Sequence, residues 1–359
     1  MIRHRRSLNV NRTLRIAAIA AVAGGSLATA GTAVAQNATG AGASFPSKAY
    51  QYWCATYGGC SYNSVGSTAG IRSWIGKTVD FSGTDAVVTP EQLAQGGGQI
   101  TYIPTLLGAI TVPINVAGVN GSRVNLTGDV VGQIFAGDIK DWSDPKLKAN
   151  NKGIKWPAAP ITVCVRSDGS GTSFAFSRYL TKVSRSFQQK VNFSQSPPWA
   201  PGGTVVKQPQ NVGVANCVNS NQNSIGYVDL GDAINAGQQG KIVAIGRPKG
   251  GPFVKPSPKS TTAAGLVQRA IKPDLTVDFS AGPLPTAAQK KQRIINPYPI
   301  VSTTWLIFRP DGKNNALGKQ VAKNFLSARY QKDLPRLGFA PLPRNLQAAA
   351  VKKLATVPG

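Results

Sequence analysis

Between Ile161 and Leu180 the chain changes its pattern once, and the change fixes the local fold. Ile161-Thr-Val-Cys-Val165 is apolar and β-branched and reads as a buried strand. Ser173-Phe-Ala-Phe-Ser-Arg-Tyr-Leu180 has the spacing of an amphipathic helix. Arg166-Ser-Asp-Gly-Ser-Gly-Thr172 joins them. A strand that turns into a helix through glycines and hydroxyls leaves the first helical amides without carbonyl partners and places the positive end of the helix dipole there. Glycine lets the backbone approach a bound group. Ser170 and Thr172 add hydroxyl donors, and Arg166 adds a planar fork suited to an oxyanion. The segment reads as a socket for a small tetrahedral anion. The plainer alternative is an ordinary strand-to-helix connection with a Ser/Thr cap.

Two earlier loops have the same character. Gly40-Ala-Gly-Ala-Ser44-Phe45-Pro46 leads into a helix expected from Ser47 to about Tyr57, with Ser44 placed as its cap. Phe45 stands where a dinucleotide fingerprint needs its third glycine. Ser64-Val-Gly66-Ser67-Thr-Ala-Gly70 precedes a helical stretch, Ile71–Lys77, and Val79-Asp-Phe-Ser-Gly-Thr-Asp85-Ala86 follows it. Further on, strands are expected over 103–115, 224–230 and 298–308, and helices over 129–136, 212–219, 318–327 and 345–354. Residues 194–211 and 246–262 read as exposed loops rich in Pro and Gly. The alternation of strands and helices without an internal repeat predicts an α/β architecture.

The first residues do not belong to that fold. Arg3, Arg5, Arg6, Arg12 and Arg15 form a basic head, an apolar stretch follows, and Ala33-Val-Ala35 before Gln36 is a cleavage site, so residues 1–35 read as a secretory signal peptide. The leader's five arginines subtracted from 40 basic residues leave 35 against 14 acids, a net of +21 on the exported chain. That balance favours anionic partners and leaves room for polyanion contact. The basic residues are scattered without an arginine-rich arm, so no nucleic acid is expected.

Export suits the four cysteines. Cys54 and Cys60 lie close together and are the expected pair, leaving Cys164 for Cys217, although spacing alone does not choose the connectivity. A zinc site is disfavoured because no C-x2-C spacing occurs. The only histidine is His4, in the leader, so the exported chain has no Ser-His-Asp triad, no Cys-His dyad and no His-bound metal. No cofactor or metal is expected, and the chain reads as a non-enzyme.

Gly40-Ala-Gly-Ala-Ser-Phe-Pro46, Gly66-Ser67, Val79-Asp-Phe-Ser-Gly-Thr-Asp85-Ala86, Ile134-Phe-Ala-Gly-Asp-Ile-Lys-Asp-Trp142, Arg166–Thr172, Ile225-Gly-Tyr-Val228 and Pro299-Ile-Val-Ser-Thr-Thr304 occur in an order that resembles the bacterial phosphate-binding proteins of phosphate ABC transporters. The resemblance spans nearly the whole exported chain. It implies a two-lobed periplasmic binding protein fold of type II, with the ligand cleft between lobes joined by two crossover strands, near 112–115 and 300–304. Residues 36–113 and 302–359 would form one lobe and 114–301 the other. It also implies a site: Ser44 and Phe45, Ser67, Arg166, and Ser170, Gly171 and Thr172 as donors, with Asp168 orienting Arg166 and Asp85 as the one acceptor. Ser44 stands where many members carry threonine, which keeps the hydroxyl.

Asp85 carries the selectivity argument. A carboxylate facing a dianion repels it unless a proton lies between them. Phosphate brings that proton near neutral pH and sulfate does not. Losing such a buried match costs roughly a 10⁴-fold discrimination. The expected partners are therefore inorganic phosphate and the permease subunits, with the protein a monomer in the periplasm or secreted. Two alternatives use the same scaffold: a phosphatase-like protein with a Ser or Thr nucleophile, or an extracellular polyanion binder.

Overall fold

The computed structural model describes residues 37–246, 251–268, 270–312 and 315–359. The expected signal peptide and its cleavage site lie outside the described residues. The chain begins β1 (Ala38–Gly42), α1 (Ser47–Tyr57), β2 (Cys60–Ser64), α2 (Ser67–Gly76), β3 (Phe81–Thr84), α3 (Pro90–Gln95), β4 (Thr101–Thr111) and β5 (Ile114–Asn115). Its middle runs β6 (Asn125–Thr127), α4 (Gly128–Phe135), α5 (Pro145–Lys148), β7 (Thr162–Arg166), α6 (Gly171–Val183), α7 (Arg185–Lys190), β8 (Thr204–Gln208), α8 (Gln210–Ser220), β9 (Ser224–Gly226), β10 (Val228–Asp229) and α9 (Leu230–Asn235). It ends β11 (Ala244–Gly246), β12 (Phe253–Val254), α10 (Pro258–Val267), α11 (Ala287–Lys291), β13 (Val301–Phe308), α12 (Asn315–Phe325), α13 (Ala328–Gln331), β14 (Phe339–Ala340) and α14 (Arg344–Ala355).

Two larger sheets and one small one carry these strands. The first has the order β10-β4-β13-β3-β1-β2, with β14 also on β4. Its β1, β2 and β3 are parallel, and β13 runs antiparallel to both β3 and β4. β4 is buried along its length after Thr101, as a central strand covered on both faces must be. Pro104 interrupts it and cannot donate to a ladder; the register with β13 slips beside it, between Thr304 and Trp305. The second sheet has the order β5-β9-β7-β8, and the small sheet β12-β11-β6 lies apart.

The chain passes between the two larger sheets at short, buried joints. β4 ends at Thr111 in the first sheet and β5 begins at Ile114 in the second. Tyr227 joins β9 of the second sheet to β10 of the first. Tyr298 anchors the approach to β13 by donating its hydroxyl to the Ile110 carbonyl at 3.0 Å. Separate aromatic clusters sit against the two sheets. Tyr50, Trp53, Phe325 and Tyr330 pack together on one, and Phe135, Phe176, Trp199 and Tyr227 on the other. Disulfides join Cys54 to Cys60, closing α1 onto β2, and Cys164 to Cys217, tying β7 to α8.

Three local expectations are corrected. Residues 194–211 are not wholly loop: Thr204–Gln208 pairs in parallel with β7 as an edge strand. The run is short, half exposed and set between Gly203 and Pro209, so its pattern is weak. Of the stretch 246–262, residues 247–250 lie outside the described residues, and the rest is not wholly exposed either. Ser257 caps α10 through a capping box, and Ser260 and Thr261 are buried on a helix that lies against β4 and β14. Its small, hydroxyl-rich residues give no apolar periodicity to read. Thirdly, Ser44 does not cap α1: Pro46 holds the N-cap position and no side chain makes the cap bond. Among the described residues no helix is long and apolar enough to cross a membrane.

Candidate functional site

The C-terminal ends of β1, β3 and β7 point their loops at one another. The Ala43 amide donates to the Gly83 carbonyl at 2.9 Å, which sets Ser44 beside the turn that carries Asp85. Ser67 opens α2 after Gly66, whose φ of 89° suits only glycine and whose Cα faces Asp168; a Cβ there would collide with that carboxylate. Asp85 follows β3 and is 2 % exposed. Its amide donates to the Ser67 hydroxyl oxygen at 3.2 Å, and that hydroxyl lies 3.5 Å from Asp85 Oδ2. Gly171, the first residue of α6, presses into the same space, since a Cβ on it would strike the Ser67 hydroxyl and the Asp85 carboxylate. Ser67, Asp85 and Gly171 thus meet at one point.

Arg166 ends β7 with its side chain 1 % exposed. Its Nε donates to Asp168 Oδ1 at 2.8 Å, Nη2 donates to Asp168 Oδ2, and Nη1 donates to Asn211 Oδ1 at 2.7 Å. A guanidinium has about five N–H groups, so one hydrogen on each terminal nitrogen is left over. Asp168 is held below the usual carboxylate range: partial burial opposes this, but the Arg166 guanidinium and the Gln210 amide outweigh it. Ser170 caps α6 by accepting the Ser173 amide at 3.1 Å, which leaves its own O–H free to donate. Its amide, in contrast, is bonded to the Gln195 carbonyl at 2.9 Å. Of the Ser170 groups, therefore, the hydroxyl is the one available to a guest.

Two buried atoms have no partner here: the Ser44 hydroxyl and Asp85 Oδ1. Buried polar atoms are nearly always paired, so an orphaned donor and an orphaned acceptor at the mouths of neighbouring loops mark a place for a ligand. Burial pushes the Asp85 carboxyl up to about 7. The Thr304 hydroxyl and the Arg166 charge pull against that, and the Asp229 charge adds to it. The site therefore offers several donors, one cation and one acceptor that prefers to meet a proton. The two sides are already in contact: the Thr68 amide donates to the Gly169 carbonyl at 3.1 Å, the Thr68 hydroxyl to Gln195 Oε1 at 2.6 Å, and Gln210 Nε2 to the Ser64 carbonyl at 2.7 Å.

Several participants have no role that the sequence assigns, although Tyr227 and Thr304 lie in two of the stretches that carry the resemblance. Asn211 opens α8 at what reads as the end of a loop. Tyr227, whose hydroxyl accepts the Arg166 amide at 3.1 Å and bonds Ser173 Oγ at 2.6 Å, looks like one more core aromatic. Thr304 sits within a β-rich run. Gln195 and Gln210, which stitch the two sides together, lie in a segment whose composition suggests only a surface.

A family model described as a PBP superfamily domain matches residues 27–329. A phosphate-binding protein PstS of Xylella fastidiosa is 32% identical over 318 residues, 86% of this chain and 82% of that protein. The PstS of Pasteurella multocida is 38% identical over 239 residues, 65% of this chain and 67% of that protein. Among solved structures, a high-affinity periplasmic phosphate-binding protein bound with phosphate superposes with a TM-score of 0.66 at 18% identity, covering 88% of this chain and 93% of that one.

Proposed function

The chain belongs to the PBP superfamily and within it to the PstS phosphate-binding proteins, and from that premise we propose that it captures inorganic phosphate in its cleft and delivers it to the permease of a phosphate ABC transporter. Its fold is the two-lobed α/β fold of that superfamily. We assign residues 36–113 and 302–359 to one lobe and 114–301 to the other, with α10 leaning on the first sheet. The lobes meet around the anion through the crossings near 112–115 and 300–304. Residues 1–35 direct export, cleavage after Ala35 releases the protein to the periplasm, and the protein works there as a monomer without cofactor or chemical step.

In this reading Ser44 gives its hydroxyl and amide and Phe45 its amide. Ser67 gives its hydroxyl, Ser170 its hydroxyl, and Gly171 and Thr172 their amides, with the Thr172 hydroxyl besides. Arg166 gives the two N–H groups that Asp168 and Asn211 leave free. Asp85 Oδ1 accepts the proton of the guest. The single observation that carries the proposal is this orphaned, 2 %-exposed acceptor among donors. A site for a fully deprotonated anion has no use for it. Titration calorimetry of the exported chain, with phosphate as ligand and sulfate as competitor, tests it. Phosphate should bind and sulfate should fail to displace it; equal affinity for the two anions would remove the role given to Asp85.

A further inference from the structure

Behind Arg166 lies a set of groups that touch no guest. Asn211 is fully buried, and its amide is used at both ends. Oδ1 accepts from Arg166 Nη1 at 2.7 Å; Nδ2 donates to Asp229 Oδ2 at 2.8 Å and to Thr172 Oγ1 at 3.3 Å. One side chain thereby orients two anion-site groups. The guanidinium is held on its oxygen, and because the Thr172 oxygen receives a hydrogen, the Thr172 O–H is turned outward as a donor. The arrangement works in one sense only. A flipped amide would point its NH2 at the guanidinium and its oxygen at Asp229, losing both strong bonds. Arg166, which can only donate, and Asp229, which accepts, together forbid the flip.

Asp229 in turn sits against a second acid. Its Oδ1 accepts the Asp232 amide at 3.0 Å, both side chains are almost wholly buried, and burial together with the Asp229 charge pushes the Asp232 carboxyl well above the usual carboxylate range. Two carboxylates in such a place cannot both be ionised, so the pair holds one proton. Asp229 has two bonds from N–H groups to satisfy its charge, whereas Asp232 Oδ2 has no partner. The proton therefore belongs on Asp232, and Asp229 stays the anion that Asn211 requires. The charged groups around the pair come from several elements: Lys48 of α1, whose Nζ donates to the Gly231 carbonyl at 3.1 Å, Arg166 at the end of β7, and Asp85 after β3. β10, which carries Asp229, is paired into the first sheet, and Asn211 is the second residue of α8, which packs on β10 as well as on the second sheet.

We propose that Asn211 is the positioning residue of the anion site, and that the Asp229–Asp232 pair, by keeping a single proton, fixes its amide and lets the pair's second ionisation weaken anion binding at alkaline pH. The inference rests on the phosphate-binding reading. The sign follows from charge: a second buried anion beside Arg166 competes for the guanidinium and repels an anionic guest.

The test is phosphate calorimetry on the full exported chain across a pH series from 6 to about 10. If the wild-type protein does not bind phosphate, the functional reading itself fails. If it does, Asn211→Ala should raise the Kd roughly 10- to 100-fold at neutral pH, and a wild-type Kd in that variant overturns the positioning role. Asp232→Asn keeps the shape and donates to Asp229 without a titratable proton. Asp85 and the phosphate itself still titrate in this window in both chains, so the variant should lose only the part of the alkaline weakening that Asp232 adds, and a profile superimposable on wild type overturns the shared-proton role. Should Asn211→Ala not fold, Asn211→Asp serves instead: it places an acid on Asp229, removes the donor to Thr172, and should give the same loss of affinity. Unchanged binding in that variant would equally sink the proposal.

Discussion

On one side of the cleft Arg166 gives hydrogen bonds to Asp168 and Asn211, its amide rests on the Tyr227 hydroxyl, and Asn211 is held by Asp229. On the other side the Ser44 hydroxyl and one oxygen of Asp85 are buried with nothing to bond. The first side is tied into a network before any ligand arrives. The second side is left incomplete. A fixed cation in a dry site costs little reorganisation when an anion enters, so in the proposed reading the networked side supplies attraction. An orphaned acceptor is costly until the right guest completes it, so the open side supplies selection. In the proposed reading attraction and selection sit on different sheets, whose loops already meet at Ser67, Asp85 and Gly171.

The largest expected effect breaks the networked side. Arg166→Ala removes the buried cation and leaves the Asp168 carboxylate without its partner. Phosphate affinity should fall about 1,000-fold or more, read by calorimetry. A loss below tenfold would mean that the attraction comes from the amides alone. The next effect sharpens the contrast by acting on the open side. Asp85→Asn should keep much of the phosphate binding but admit sulfate, collapsing the discrimination from roughly 10⁴-fold toward parity. It should also change stability in a pH-dependent way. The Asp85 carboxyl sits near 7 in the folded chain against 3.8 for a free one. Folding therefore takes up a proton between those values, and stability present at pH 4 is lost as pH rises through 7. The variant escapes that loss. Its ligand-free melting temperature should exceed wild type at pH 8, reflecting a free energy on the order of 4 kcal/mol, and should match wild type near pH 4. Equal melting at both pH values would show that the carboxyl is not strained in the empty site.

The two sides also differ in how far the sequence exposed them. The small-residue loops at Ser44, Ser67 and Ser170–Thr172 could be read because helix starts have a local chemistry of glycines, hydroxyls and free amides. Arg166 and Asp168 lie in one such loop. The network behind them could not be read. Asn211, Tyr227 and Asp229 reach Arg166 from α8 and the β9–β10 joint, and nothing local to Asn211 separates it from any asparagine in a Gln-rich stretch. The α/β class followed from alternating periodicity. The edge strand at Thr204–Gln208 did not, because an edge strand needs only one apolar face. Ser44 shows a subtler limit: its position before a helix suggests a cap, yet the turn through Phe45 and Pro46 places it two residues too early, and its hydroxyl is left over.

That leftover hydroxyl gives the smallest of the expected effects and the most direct test of the contrast. If the Ser44 hydroxyl only filled space, Ser44→Ala would be neutral for affinity and would relieve the free protein of an unpaired buried polar atom. If it completes a guest, removing it takes away one hydrogen bond to a charged acceptor. The phosphate Kd should then rise about tenfold, while the ligand-free chain melts at or slightly above the wild-type temperature. Ser44→Thr keeps the hydroxyl and should restore the affinity. Gain in the empty protein together with loss in the loaded one is the signature of an open side, since the same substitution on a networked residue such as Tyr227→Phe should lower both stability and affinity. Parallel losses in both states for Ser44→Ala would place Ser44 with the network and erase the distinction between the two sides.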